Sequence, residues 1–269
     1  MKKRRIGTAV AAAVFLLGAA VLLYPCAAAG WASHHQMRVI EAYQETVDTA
    51  SQEQLREDLR AAEDYNDALL RGDASGADYA ALLSDGGAMA YLEIPAIEVD
   101  LPVYHGTDSA TLARGIGHLQ GTSLPVGGTG THCVLSAHCG MPEAQLFTGL
   151  EKLVEGDRFY LHTLGETLAY RVDQIRVVEP SDTALLRIDP AEDYVTLVTC
   201  TPYGVNTHRL LVRGVRVREE ENGAVETAAE VKPVRRVTAG EKARWAAGAV
   251  GLTGLLLLGT ALRKGKKKT

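Results

Sequence analysis

Two uncharged apolar runs bracket the chain, from Ile6 to Pro25 and from Trp245 to Leu262. A helix needs about 20 apolar residues to cross the ~30 Å hydrocarbon core of a bilayer, so the first run fits a membrane anchor and the second just reaches. Between them, residues 36–71 repeat apolar positions at intervals of three to five: Val39, Tyr43, Val47, Ala50, Leu55, Leu59, Ala62, Tyr65 and Leu69. With acids and arginines in between, that spacing predicts helix with one apolar stripe. Ser51-x-x-Gln54 resembles a capping box, so the stretch reads as one helix or as two meeting near Ser51. Residues 72–88 lose the periodicity, and Gly72, Gly76, Gly86 and Gly87 mark a lid-like loop.

From Met89 onward the pattern shortens. Residues 90–94, 97–104, 132–137, 157–162, 167–178, 194–199 and 209–218 are brief and rich in β-branched side chains, which predicts strands. Gly106, Gly127-Gly128, Gly140, Gly165 and Gly204 supply turns between them. Residues 145–153 read as a short helix. So many short strands predict a closed barrel or a sandwich. Residues 219–244 are polar and read as a linker to the second apolar run.

Charge distribution adds an orientation. Nine of the 28 basic residues lie in 1–5 and 263–269, next to the apolar runs, leaving 19 against all 33 acids in between. Lys and Arg flanks stay cytoplasmic, so both termini are expected inside the cell and the acidic body outside, held in the membrane at both ends. That acidic body disfavours nucleic acid, whose phosphates need a cationic face. Ala27, Ala28 and Ala29 also offer a signal-peptidase site, but the first run exceeds the ~7–15 residues of a signal core, which favours an uncleaved anchor. The 27 Gly and 9 Pro among 269 residues exclude a collagen-like chain.

The four cysteines do not form a disulfide scaffold. Cys26 sits at the edge of the first apolar run, leaving Cys133, Cys139 and Cys200 outside, an odd number. On one extended strand Cys133 and Cys139 would be roughly 20 Å apart, far beyond the ~7 Å Cα separation of a disulfide.

Three of the candidate chemical residues sit at strand ends. Cys200 closes the apolar strand Thr196-Leu197-Val198-Thr199-Cys200 and precedes a turn at Thr201-Pro202-Tyr203-Gly204. His138 follows Val134-Leu135-Ser136-Ala137 in the same way. Arg209 opens the strand Arg209-Leu210-Leu211-Val212-Arg213, and strand alternation places Arg213 on its face. Each residue alone reads as structural: a buried thiol, a stray imidazole, a solvated guanidinium. Together they are an acyl-transfer set. A neighbouring His or Arg favours the thiolate, an imidazolium protonates a leaving amine, and a guanidinium donates to a tetrahedral oxyanion.

The strings themselves carry a resemblance. Thr196-Leu197-Val198-Thr199-Cys200 is similar to the Thr-Leu-x-Thr-Cys signature of sortases, and Leu135-Ser136-Ala137-His138 resembles the strand that delivers their catalytic His. Thr207-His208-Arg209-Leu210-Leu211-Val212-Arg213-Gly214 resembles the Arg strand of the pilus-building class C enzymes of Gram-positive bacteria. Tyr91-Leu92-Glu93-Ile94-Pro95 and Leu101-Pro102-Val103-Tyr104-His105-Gly106-Thr107 are similar to that class's opening strands. The similarity covers roughly residues 35–218.

The resemblance implies a mainly β fold: a closed sortase-type barrel of about eight strands over residues 89–218, with an N-terminal helical region and a transmembrane helix at each end. It implies a cysteine transpeptidase without cofactor or metal. Cys200 would attack the Thr–Gly bond of a Leu-Pro-x-Thr-Gly-like sorting signal, His138 would protonate the leaving amine, and Arg209, ahead of Arg213, would hold the carbonyl oxygen. The partners implied are pilin or surface-protein sorting signals and an acceptor amine, from a pilin lysine or from a cell-wall peptide. A membrane-tethered binding domain without activity is the alternative from another class, and a simple cysteine hydrolase is a further one. One departure stands out. The class usually carries an Asp-Pro-aromatic lid plug, whereas no proline occurs here between Pro25 and Pro95; Asp73 or Asp78-Tyr79 are candidate substitutes. Cys139, beside the His, is either an inert neighbour or a disulfide partner for Cys200.

Overall fold

A computed structural model describes residues 2–73, 78–84, 87–141 and 144–217, without the side chains of residues 2–12 and 26. The expected linker, second apolar run and basic C-terminal tail lie outside the described residues.

Helix α1 runs unbroken from Lys2 to Thr49 with Pro25 inside it. Residues 26–35, which the apolar pattern left between two elements, are therefore helical. The N-terminal part exposes Val14, Phe15, Leu16, Leu17 and Leu22, and from Ala13 the helix is long and apolar enough to cross a membrane. Helix α2 (Gln52–Arg71) starts where the capping pattern predicts: Ser51 is its N-cap, and the Ser51 hydroxyl accepts from the Gln54 amide at 3.1 Å.

The compact unit begins at His34. Its strands are β1 (Ala90–Ile94), β2 (Val99–His105), β3 (Ile116–His118), β4 (Thr131–Ser136), β5 (Arg158–Thr163), β6 (Glu166–Val178), β7 (Asp193–Thr201) and β8 (His208–Arg216), with a short helix α3 (Ser109–Arg114) between β2 and β3. They close into a barrel in the order β1-β2-β3-β4-β7-β8-β6-β5. The β2–β3 and β4–β7 pairs are parallel and the rest antiparallel. Strand β3, with three residues, is too short to display alternation, and helix α3, with six, is too short to display helical periodicity. The helix expected over 145–153 is only a turn and a 3₁₀ segment, Leu150–Lys152. Leu146 (φ 39°) and Gly149 (φ 105°) adopt left-handed backbone there, which an α-helix does not admit.

Inside the barrel Leu92, Phe159, Leu161, Tyr170, Leu197 and Val212 are fully buried. Each such side chain contributes about 1.5–3 kcal/mol relative to exposure. Phe159 and Tyr170 stack at 5.6 Å, and a Cβ on Gly214 would lie 2.6 Å from the Phe159 ring, so β8 approaches only because that position is glycine. The start of β7 is fastened by Asp193, whose carboxylate accepts from the Gly128 amide and the Tyr170 hydroxyl, each at 2.9 Å, and from Thr131 at 3.3 Å.

The predicted apolar stripe of α1 does its packing on the β1–β2 wall. Val39, Tyr43 and Val47 pack with Ala88, Tyr91 and Tyr104, and the Tyr43 hydroxyl donates to the Met89 carbonyl while accepting from the Leu164 amide. On α2, the Asn66 side chain exchanges two hydrogen bonds with the backbone of Leu124. Tyr79, from the 72–88 segment, is buried where α2 meets β2 and β3. Its hydroxyl accepts from the Gly106 amide at 3.1 Å and reaches His118 Nδ1 at 2.8 Å. No hydrogen bond or ring contact from the described part of that segment goes to Cys200, His138 or Arg209.

His118 shows what that burial does to a titratable group. Its Nε2 lies 2.8 Å from the Ser123 carbonyl, which only accepts, so Nε2 carries the proton and Nδ1 accepts from Tyr79. Burial pushes its pKa down to about 4. A histidine kept neutral in the fold and ionisable at ~6.5 when unfolded leaves stability unchanged above pH 6.5 and takes stability away as pH falls toward 4, because only the unfolded chain gains the proton. That loss is expected to reach about 3 kcal/mol. Denaturant melts across pH 4–7 check it: His118→Gln is expected to flatten the slope, and an unchanged slope would disprove the assignment.

Candidate active site

Cys200, His138 and Arg209 come from three strands that are neighbours in the barrel, β7, β4 and β8. In the antiparallel β7–β8 ladder Cys200 stands directly opposite Arg209. In the parallel β4–β7 ladder Ser136 stands opposite Val198, and the pairing continues past the end of β4. The Ala137 amide donates to the Val198 carbonyl at 3.2 Å, and the Thr199 hydroxyl donates to the Ala137 carbonyl at 2.8 Å. Two further residues along the same register bring His138 level with Cys200. Alternation puts Cys200, Val198 and Thr196 on one face of β7, and the β8 residues opposite them are Arg209, Leu211 and Arg213.

All three candidate residues are half-buried, accessible without being loose. The two arginines differ in what they touch. Arg213 is committed: its guanidinium makes a bidentate pair with Asp173, at 3.1 and 2.6 Å, and lies 4.1 Å from the centre of the Tyr194 ring. The Asp173 bonds raise its pKa further and keep it charged. Arg209, among the described residues, donates to the carbonyls of Asn206 and His208. Among the described ion pairs it has no carboxylate, so it retains donors for an incoming oxygen.

The exits of β4 and β7 are held together by side chains as well. The Cys139 thiol donates to the Cys200 carbonyl at 2.9 Å, the Gly140 amide donates to Thr148, and the Phe147 amide donates to the His138 carbonyl. Gly140 is left-handed (φ 76°), and a Cβ there would lie 2.5 Å from the Tyr203 ring of the β7–β8 turn. Gly140→Ala is therefore expected to cost about 1–3 kcal/mol and to lower turnover by displacing His138. Tyr203→Ala on that background is expected to restore part of the loss, leaving only the backbone strain. Thermal unfolding of the single and double variants, with peptide turnover, tests this; no relief in the double variant would refute the steric contact.

One residue of this face went unnoticed in the sequence. His132, buried on β4, lies 2.9 Å through Nδ1 from the carbonyl of Arg187 in the β6–β7 connection, and Thr196 lies 2.7 Å from its Nε2. A carbonyl only accepts, so Nδ1 donates and Nε2 accepts from Thr196. Burial lowers its pKa, which keeps that neutral arrangement. The connection carrying the 3₁₀ turn Ala184–Leu186 is thus pinned over the same barrel face as Cys200. The signal was present: residues 132 and 138 are six apart, an even number, and therefore share a face of one extended chain.

Comparison with known proteins agrees with this architecture. The sortase domain family matches residues 92–217. Sortase C1 of Streptococcus agalactiae superposes with a TM-score of 0.65 at 44% identity, covering 68% of this chain and 95% of that one. Sortase C of Clostridium perfringens, solved with the C-terminal cell wall sorting motif, gives 0.62 at 44% identity over 68% and 99%. Sortase D of Bacillus subtilis is 29% identical over 135 residues, 49% of this chain and 65% of its own, so the match spans under two thirds of that relative. A closed eight-stranded barrel in this strand order is a sortase-type fold, and here it carries a cysteine near the end of β7. The chain belongs to the sortase family, alongside its class C members.

Proposed function

We propose that the chain is a membrane-anchored transpeptidase that polymerises pilins. Cys200 attacks the Thr carbonyl of a Leu-Pro-x-Thr-Gly-like sorting signal. Arg209 donates to the oxyanion as the carbon–sulfur bond forms, and His138 protonates the glycine amine as the carbon–nitrogen bond breaks. The thioester is then attacked by a lysine amine of another pilin, which forms an isopeptide bond and releases Cys200. The apolar helix α1 tethers the enzyme, and with the expected second span it keeps both termini in the cytoplasm and the barrel outside. The observation that carries the reading is the β4–β7–β8 adjacency, which sets Cys200 opposite Arg209 and level with His138.

The acceptor separates this reading from its neighbour, joining of surface proteins to a wall-peptide amine. The identity of about 44% to class C structures, against 28% to a sortase A of Streptococcus agalactiae, favours the pilin lysine. The test offers the detergent-solubilised full chain a sorting-signal peptide with either a lysine-bearing pilin or a wall-peptide amine. A pilin ladder is the expected product; ligation to the wall amine alone would overturn the acceptor, and hydrolysis alone would overturn the transpeptidase.

A further inference from the structure

Cys139 lies just past the end of β4, beside the stretch of β7 that carries Cys200, and the proposed reaction gives it no role. Its sulfur lies 2.9 Å from the carbonyl oxygen of Cys200, on the adjoining exit of the neighbouring strand. Neighbouring strands run ~4.8 Å apart, within the ~7 Å Cα separation that a disulfide tolerates. Both thiols turn about a single bond, and both residues are half-buried and reachable by a small oxidant. The third described cysteine offers no competition. Cys133 is buried within β4, out of reach of a small oxidant. All three are free thiols.

We propose that Cys139 is the resolving thiol of Cys200: oxidation of Cys200 by a peroxide is converted into a Cys139–Cys200 disulfide that closes the site reversibly. The functional consequence, though not the bond itself, rests on Cys200 being the nucleophile proposed above. In the first step the Cys200 thiolate attacks the outer peroxide oxygen. The oxygen–oxygen bond breaks, Cys200 becomes a sulfenic acid, and the leaving alkoxide, or hydroxide from hydrogen peroxide, takes up the proton that the Cys200 thiol had released and departs as an alcohol or water. In the second step the Cys139 sulfur attacks the sulfenic sulfur; the sulfur–sulfur bond forms, and the hydroxyl departs with the Cys139 proton as water. Two thiols have then lost two electrons and two protons to one peroxide. A dithiol reductant reverses the change by exchange.

Electrostatics divides the roles. Burial raises the pKa of Cys139, against a hydrogen bond with Thr199 that lowers it, so it stays protonated and does not compete for the peroxide. Without it, a sulfenic acid on Cys200 goes on to sulfinic and sulfonic acids, which reductants do not reverse.

The test treats the detergent-solubilised full chain with hydrogen peroxide, blocks free thiols with iodoacetamide, and maps peptides by mass spectrometry with and without dithiothreitol. The expected result is a peptide pair joined through Cys139 and Cys200 and lighter by two hydrogen atoms, with sorting-peptide cleavage lost and then recovered on reduction. Cys139→Ser is expected to show sulfinic or sulfonic Cys200 and a loss that reduction does not recover, relative to its own untreated activity. Alkylated Cys139 beside an oxidised Cys200, or equal recovery in Cys139→Ser, would overturn the proposal. The wild-type peptide map decides the matter even where the variant folds poorly, and it does so whether or not the chain transfers pilins.

Discussion

Cys200→Ala is expected to remove every covalent adduct between the protein and a sorting-signal peptide, and to lower peptide cleavage by at least about 10⁴-fold. The reason is that no other described thiol occupies the position opposite Arg209. Cys139 points its sulfur at a backbone carbonyl, and Cys133 is buried. The fold is expected to survive, because truncating a half-buried thiol opens little cavity. Intact-protein mass spectrometry during turnover gives the adduct, and thermal unfolding gives the control. An adduct that persists in the variant, mapped to Cys139 or to any other residue, would remove Cys200 from the reaction.

The second large effect is a contrast between two arginines four residues apart. Arg209→Gln is expected to lower kcat by about 10²–10³-fold, the usual cost of deleting one oxyanion donor, with little change in stability. Among the described residues its bonds go to the carbonyls of Asn206 and His208, which water satisfies when the guanidinium is gone. Arg213→Gln is expected to do the reverse. It strands Asp173, a partly buried carboxylate, and removes the cation over Tyr194. The expected loss is about 2 kcal/mol, a fall of roughly 4–8 °C in Tm, with kcat near the parent value. Steady-state kinetics and calorimetry on both variants decide between them. A large kcat loss in Arg213→Gln at unchanged Tm would exchange the two roles.

These contrasts also mark how far the one-dimensional pattern reached. Alternation put Arg209 and Arg213 on one face, and the ladder agrees, since both lie on the side of β8 that meets Cys200 and Thr196. Nothing along the chain said that Asp173, 40 residues earlier, would capture only the second. The capping pattern at Ser51 and the stripe Val39-Tyr43-Val47 are local matters of hydrogen bonding and 3.6-residue spacing, and both reappear in the structure. The helix expected over 145–153 fails because Leu146 and Gly149 take left-handed backbone, and between them the Phe147 amide bonds the distant His138 carbonyl. In the 72–88 segment, the pattern marks Tyr79 only as part of a substitute plug. Its partners, Gly106 and His118, are 27 and 39 residues away.

From the amino-acid order alone follow the apolar helix at the N-terminus, the amphipathic pair after it, the run of short strands, and the identity of a thiol, an imidazole and a guanidinium at strand ends. Each depends on periodicity, capping or composition within a few neighbours, where the chain's own geometry sets the contacts. Barrel closure, the parallel seating of β4 against β7, the freedom of Arg209, and the approach of Cys139 to Cys200 all join residues tens of positions apart. Their registers are chosen by how the buried faces of eight strands fit one another, as where Gly214 lets β8 meet Phe159. That fit is a property of the packed molecule, because the side chains that decide it become neighbours only once the barrel has closed.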